Sequence, residues 1–183
     1  MRHIHVSAVA LLVLVAAAAA PLAQTQASRD PKYTSRRELL DRLTGHWVAQ
    51  GVIGKQQTTH DIDAKWVLDK EYVQIHEISR EKDASGKPQY EAILHVVWDP
   101  KAGEYACLWL DTTGIANFPP EGVGHAKPEP ADTIAFVFKD PGGGGDLTTF
   151  TYDRAKDAWT WTIDNEARDG KLTPFARLTL TRS

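Results

Sequence analysis

Five histidines lie beyond the N-terminal leader: His46, His60, His76, His95 and His125. None stands at a His-x-His or His-Glu-x-x-His spacing, which would set two imidazoles on one face for a metal. Gly-x-Ser-x-Gly, Cys-x-x-Cys and dinucleotide-binding glycine patterns are absent as well. No metal and no cofactor is expected. His76, with Glu77 beside it, is the best single candidate for acid–base work. On a strand, neighbours point to opposite faces, so the two do not form a simple pair. A lone histidine in a barrel wall is more often a hydrogen-bonded structural residue than a catalyst. Cys107 is the only cysteine and makes no internal disulfide. It reads as a small packed hydrophobe rather than a reactive thiol. "WLDTTG" places Asp111 at a strand end beside two threonines and a glycine, which is turn chemistry first and a pocket rim second.

The elements that position these residues begin after a leader. Residues 1–27 carry Arg2, an unbroken apolar run from Val9 to Ala20 and a small-residue tail, the order of a secretory signal peptide. The run is too short to span a membrane. Residues 28–34 read as a mobile leader, and 35–183 as one domain. The expected location is periplasmic or secreted, with no stable membrane insertion after cleavage. The whole-chain net charge is −3, and it becomes one unit more negative when Arg2 leaves. That balance excludes nucleic acid as an expected partner.

"SRRELLDRLTG" reads as a short helix, with Ser35 and Glu38 at capping-box spacing and Gly45 as its terminating glycine. The period then changes to alternation. Strands are expected near 46–54, 60–68, 72–81, 90–99, 104–114, 132–139, 147–154, 158–166 and 174–182. Short β-branched and aromatic runs separated by turn residues imply an all-β fold. We expect an antiparallel, calycin- or lipocalin-like barrel of about 9–10 strands. "PGGGGD" lacks the Lys-Ser/Thr of a phosphate loop and reads as a hairpin turn. "NFPPEGVGHAKPEP" reads as a long loop.

Alternation assigns faces. Ile62, Ala64, Trp66 and Leu68 are expected inside, and a tight turn at "DKE" pairs Ala64 with His76, turning His76 inward. Ala92, Leu94, Val96 and Trp98 form the more apolar face of their strand. Across "DPKAGE" they meet Ala106, Leu108 and Leu110, leaving His95, Cys107 and Trp109 outside. A slip of one residue reverses such an assignment. Trp159, Trp161 and Ile163 share a face. The ligand-binding candidates are Trp66, His76, Leu94, Trp98 and Leu110. The six tryptophans read first as barrel packing and second as the lining of a pocket.

Leu43, Gly45 and Trp47, then Gly86, Lys87 and Pro88, Trp98 and Asp99, and Trp109 and Asp111 together resemble a known pattern. It is that of an uncharacterised bacterial family of calycin-like barrels, the domain of unknown function fifteen-seventy-nine. The resemblance covers roughly Leu39 to Gly114. It departs at Asp69-Lys70, where the family often has Gly-Arg, and at Val97-Trp98-Asp99, where it often has Gly-Tyr-Asp. It implies a calycin-type barrel whose interior holds a small apolar molecule, and it carries no activity. Gly45-x-Trp47 is also similar to the opening of nitrobindin-like haem barrels. Those bind iron through a histidine near the C-terminus, whereas the last histidine here is His125.

Three functions are compatible with these readings. The first is an exported barrel that binds a small apolar molecule. The second is a packed structural or envelope-interaction domain without a ligand. The third is a hydrolase or isomerase using an interior histidine.

Overall fold

A computed structural model describes residues 31–114, 122–128 and 131–183, with side chains from Arg36 onward. Residues 1–30, which include the expected signal peptide, lie outside the described residues. Helix α1 (Pro31–Leu43) is followed by ten strands: β1 (Gly45–Ile53), β2 (Gln56–Val67), β3 (Tyr72–Ser79), β4 (Glu91–Asp99), β5 (Glu104–Asp111), β6 (Val123–Ala126), β7 (Thr133–Lys139), β8 (Gly145–Asp153), β9 (Ala158–Glu166) and β10 (Leu172–Arg182). Each strand pairs antiparallel with its neighbours in sequence, and β1 also pairs with β10, from Trp47↔Arg182 to Ile53↔Ala176. The sheet is therefore a closed barrel with no free edge.

The expected barrel is present, and its details differ in three places. The helix starts at Pro31, so Ser35 lies inside it rather than capping it. Proline suits a first helical position because its missing N–H would be unpaired there anyway. Gly45, with φ +122°, makes the turn from helix to strand. The loop expected over Asn117–Pro130 contains β6. Four residues of β6 pair with β5, but only His125↔Val137 joins it to β7. Gly124 at its centre lies against the Phe138 ring, where a Cβ would come within 2.6 Å.

The third difference is register. The β2–β3 connection is a four-residue turn, with Val67↔Tyr72 as the last pair. Leu68, Asp69 and Lys70 all have positive φ, between 50° and 63°. Ala64 thus pairs with Ile75, and Asp63 with His76. Val73, Ile75, Glu77 and Ser79 are buried, whereas Leu68 is 71% exposed in the turn. His76 therefore points outward, contrary to the expected inward placement. Across the next turn Leu94 pairs with Trp109 and Val96 with Cys107. Tyr105 and Cys107 are buried in the core with Leu94, Val96 and Trp98, and Trp109 packs against that core. Cys107 and Trp109 thus face inward, and Ala106, Leu108 and Leu110 take the other face. His95 is on the outer face, as expected, 3.0 Å from Gln74 Nε2.

Candidate functional site

The hairpins divide the barrel into two unlike ends. At one end α1 closes the interior, with Leu39, Leu40 and Leu43 buried in the core. Aromatic donors fasten it there. Trp47 Nε1 donates to Leu43 O at 2.8 Å, Trp66 Nε1 to Asp41 Oδ1 at 2.6 Å and Tyr105 Oη to Arg36 O at 3.2 Å. Trp159 Nε1 reaches Arg42 O at 3.3 Å. Arg182 lies 3.7 Å above the Trp47 ring and donates to Thr44 O at 2.6 Å. A buried indole needs a partner for its N–H, and at this end the helix carbonyls and Asp41 supply it.

The other end holds a cavity of about 1260 Å³. Its apolar wall comes from β5, β7, β9 and β10 through Trp109, Phe138, Trp161, Ile163 and Leu178. The Trp109 and Trp161 rings lie 5.6 Å apart, and Phe150 stacks behind Trp161 at 4.8 Å. The opposite wall is polar and comes mainly from β2, β3 and the segment leading into β4. There His60, Glu77, Ser79 and Tyr90 border the same space.

The polar wall is a directed chain of hydrogen bonds. His60 Nδ1 lies 2.5 Å from Glu77 Oε1, and His60 Nε2 lies 2.7 Å from Thr58 Oγ1. Thr58 Oγ1 donates to Glu81 Oε2 at 2.9 Å, and Thr59 N–H donates to Glu81 Oε1 at 3.0 Å. A hydroxyl has one proton to give. Because Thr58 gives its proton to Glu81, His60 Nε2 must be the donor to Thr58. The short His60–Glu77 contact then carries one proton between Nδ1 and Oε1. Burial pushes the Glu77 carboxyl up, and the nearby Asp111 charge adds to this against the pull of His60. Burial works against ionisation of Glu81 too. Bonds from its own backbone N–H, Thr58 and Thr59 outweigh it and hold Glu81 below the usual carboxylate value.

Tyr90 forms a second branch. Its ring stacks on His60 at 5.8 Å. Trp109 Nε1, which can only donate, reaches Tyr90 Oη at 3.1 Å, and Tyr90 Oη turns its proton toward Asp111 Oδ2 at 3.4 Å. Burial first, then the Glu77 and Asp111 charges, push the Tyr90 phenol up and keep it protonated. Asp111 Oδ1 accepts from Thr113 N, Thr113 Oγ1 and Gly114 N. Both readings of "WLDTTG" hold: Asp111 organises the turn and borders the cavity. Two buried polar atoms of lining residues have no hydrogen-bond partner, Glu77 Oε2 and Trp161 Nε1.

No family model and no curated protein matches the sequence. Among solved structures the barrel is similar to the crystal structure of Rv2717c from M. tuberculosis. The likeness has a TM-score of 0.56 at 16% identity and covers 84% of this chain and 98% of that one. It is a likeness of fold.

The candidates named from the sequence are scattered. Leu110 borders the cavity. Leu94 is in the core beyond it, and Trp98 packs edge-on to Tyr105 at 5.0 Å. Trp66 lies at the helix end, with the Arg37 guanidinium 4.7 Å over its ring. His76 faces outward, and its Nε2 meets Glu91 Oε1 at 2.7 Å. Leu110 thus borders the cavity as expected, whereas Trp109, Trp161 and the His60–Glu77 pair line it in place of Trp66 and Trp98. Two signals for these residues were in the sequence. His60 has the same parity as Ile62 and Ala64, and Trp161 shares its face with Trp159. Cys107 is packed in the core, where burial pushes its thiol up, away from reactive thiolate.

Proposed function

We propose that this chain is an exported barrel that binds a small molecule with an apolar body and at least one polar group. One observation carries the reading: a cavity of about 1260 Å³ with an aromatic wall facing a hydrogen-bonded polar wall. Small-molecule sites are concave and mostly apolar, with a few converging polar groups. A solidly packed structural domain does not account for that volume. Export rests on the composition of residues 1–27. Membership of the calycin-like family rests on the motif residues Leu43, Gly45, Trp47, Trp98, Asp99, Trp109 and Asp111.

The His60–Glu77 pair favours a second reading, a hydrolase or isomerase, with His60 rather than His76 as the interior base. An imidazole held by a carboxyl and facing a cavity has the parts of a general base. Its Nε2 is already committed to Thr58, so binding is the better-supported role.

Native mass spectrometry with an absorbance scan, on mature protein from a periplasmic preparation, tests the proposal. A co-purifying adduct that survives desalting, on a chain beginning near Ser28, is the expected result. The expected adduct is lost in an Ile53→Trp variant, which places an indole at the cavity wall. A wild-type chain that carries no adduct and takes up no apolar or amphipathic probe would remove the binding reading.

A further inference from the structure

The lining of the cavity has one sign of charge. Among the described residues it includes six carboxyl groups, on Glu77, Glu81, Asp111, Asp140, Asp146 and Glu166, and neither lysine nor arginine. Glu166 is paired outside the lining with Lys139 at 2.5 Å. Asp140 and Asp146 have no ion pair among the described residues. Burial, with the Asp140 charge behind it, pushes the Asp146 carboxyl up. Deeper in, Glu77 is 1% exposed, and its Oε2 has no hydrogen-bond partner. Tyr90, Trp109 and Trp161 offer ring faces beside it, the surface on which an organic cation is stabilised. No three His, Cys, Asp or Glu side chains among the described residues are grouped so as to chelate a metal ion. A buried anionic ligand would meet six carboxyl groups and neither lysine nor arginine, which is unfavourable.

We infer that the cavity takes a protonated organic amine on an apolar body, its ammonium seated between Glu77 Oε2 and the aromatic faces. This rests on the binding reading above and narrows it to one class of ligand. Glu77 shares one proton with His60 across the 2.5 Å contact. An ammonium at Oε2 favours the arrangement with that proton on Nδ1, which leaves a carboxylate facing the ammonium. The titratable groups facing Glu77 are His60 from β2, Tyr90 from the segment before β4 and Asp111 from β5. Burial keeps the Tyr90 phenol protonated, and Asp111 accepts from Thr113 and Gly114, so Glu77 is the carboxyl left to face the ammonium.

Three probes with one body and different heads test this by titration calorimetry at pH 7: 4-phenylbutylamine, 4-phenylbutanol and 4-phenylbutanoate. The expected order is amine tightest, by about tenfold or more over the alcohol, with the carboxylate weakest. Glu77→Gln should remove the preference for the amine over the alcohol. If the alcohol or the carboxylate binds as tightly as the amine, the amine assignment fails and the binding barrel stands. If none of the three binds, the binding reading itself fails. The wild-type order decides the question even if the variant does not fold.

Discussion

The barrel divides its work between a plugged end and a hollow end, and Leu40→Ala tests that division. Leu40 is 1% exposed and lies on α1, between Leu39 and Leu43 in the core. Truncating a buried leucine costs about 2–5 kcal/mol, the larger values applying where the surroundings do not collapse into the space. Here the helix is held over the barrel end by Trp47, Trp66, Tyr105 and Trp159 at fixed positions. Collapse is therefore restricted, and we expect a loss of about 3 kcal/mol. For a domain of this size that is a fall in Tm of about 6–12 °C. Thermal melts followed by circular dichroism, with Glu38→Ala on the exposed face as control, give the number. The control should stay within about 0.5 kcal/mol of wild type. Affinity for any cavity probe should be unchanged below the melt, because the cavity lies at the other end. A loss under about 1 kcal/mol would mean that the helix is not the plug. A parallel loss of probe affinity would mean that the two ends are not independent.

Glu77→Gln should change how stability depends on pH. The folded chain holds the Glu77 proton above the ordinary value of 4.5, so the stability tied to that proton is complete below 4.5. It is lost as pH rises through the folded-state value, at about 1.4 kcal/mol for each unit of separation. The Gln amide can still donate to His60 Nδ1 and has no proton to lose. Urea titrations from pH 4 to 9 should show the variant gaining on wild type as pH rises, and a constant difference would show that Glu77 ionises normally. Gly124→Ala forces a methyl into the Phe138 ring and should cost about 1–3 kcal/mol in the same urea assay. A silent substitution would show that the ring moves freely. Asp69→Gly, in the run of positive φ from Leu68 to Lys70, should stabilise by up to about 1 kcal/mol. A lower Tm would place the cost of that turn elsewhere. Cys107 should resist a disulfide exchange reagent at pH 8 until the chain is unfolded in denaturant, and rapid native labelling would contradict its packing.

The architecture was legible because it depends on a pattern repeated many times. Alternation in nine segments, with turn residues between them, requires an antiparallel all-β sheet, and closure follows from the need to cover its edges. β6 escaped because four residues, VGHA, between proline-rich flanks carry too little alternation to count as a strand. Its identity comes from pairing with β5, which is a tertiary fact. The site escaped for a sharper reason. A side chain's face depends on register, and register between β2 and β3 depends on one turn. Reading that turn as three residues brings His76 inside. The four-residue turn, with Leu68, Asp69 and Lys70 at positive φ, brings Glu77 inside instead. The sequence gives little warning of such a turn, because non-glycine residues rarely adopt that conformation.

The same one-residue step changes the chemistry as well as the geometry. With His76 inside, the wall would have offered the imidazoles of His60 and His76 with no acid from β3 beside them, since Glu77 would point away. With Glu77 inside, the carboxyl meets His60 from the neighbouring strand at 2.5 Å, and a pair forms that no spacing along the chain could announce. The partners are 17 residues apart in sequence. They sit on diagonal positions, His60 opposite Ser79 and Glu77 opposite Ile62. Across an antiparallel pair, such diagonal neighbours on one face are within reach of long side chains. The parity that places Ile62 and Ala64 in the core also fixes His60 inside. Once the turn is known, His60 and Glu77 must share the interior. That pair, buried on one wall, then faces the cavity on one side and is held by Thr58 and Glu81 on the other.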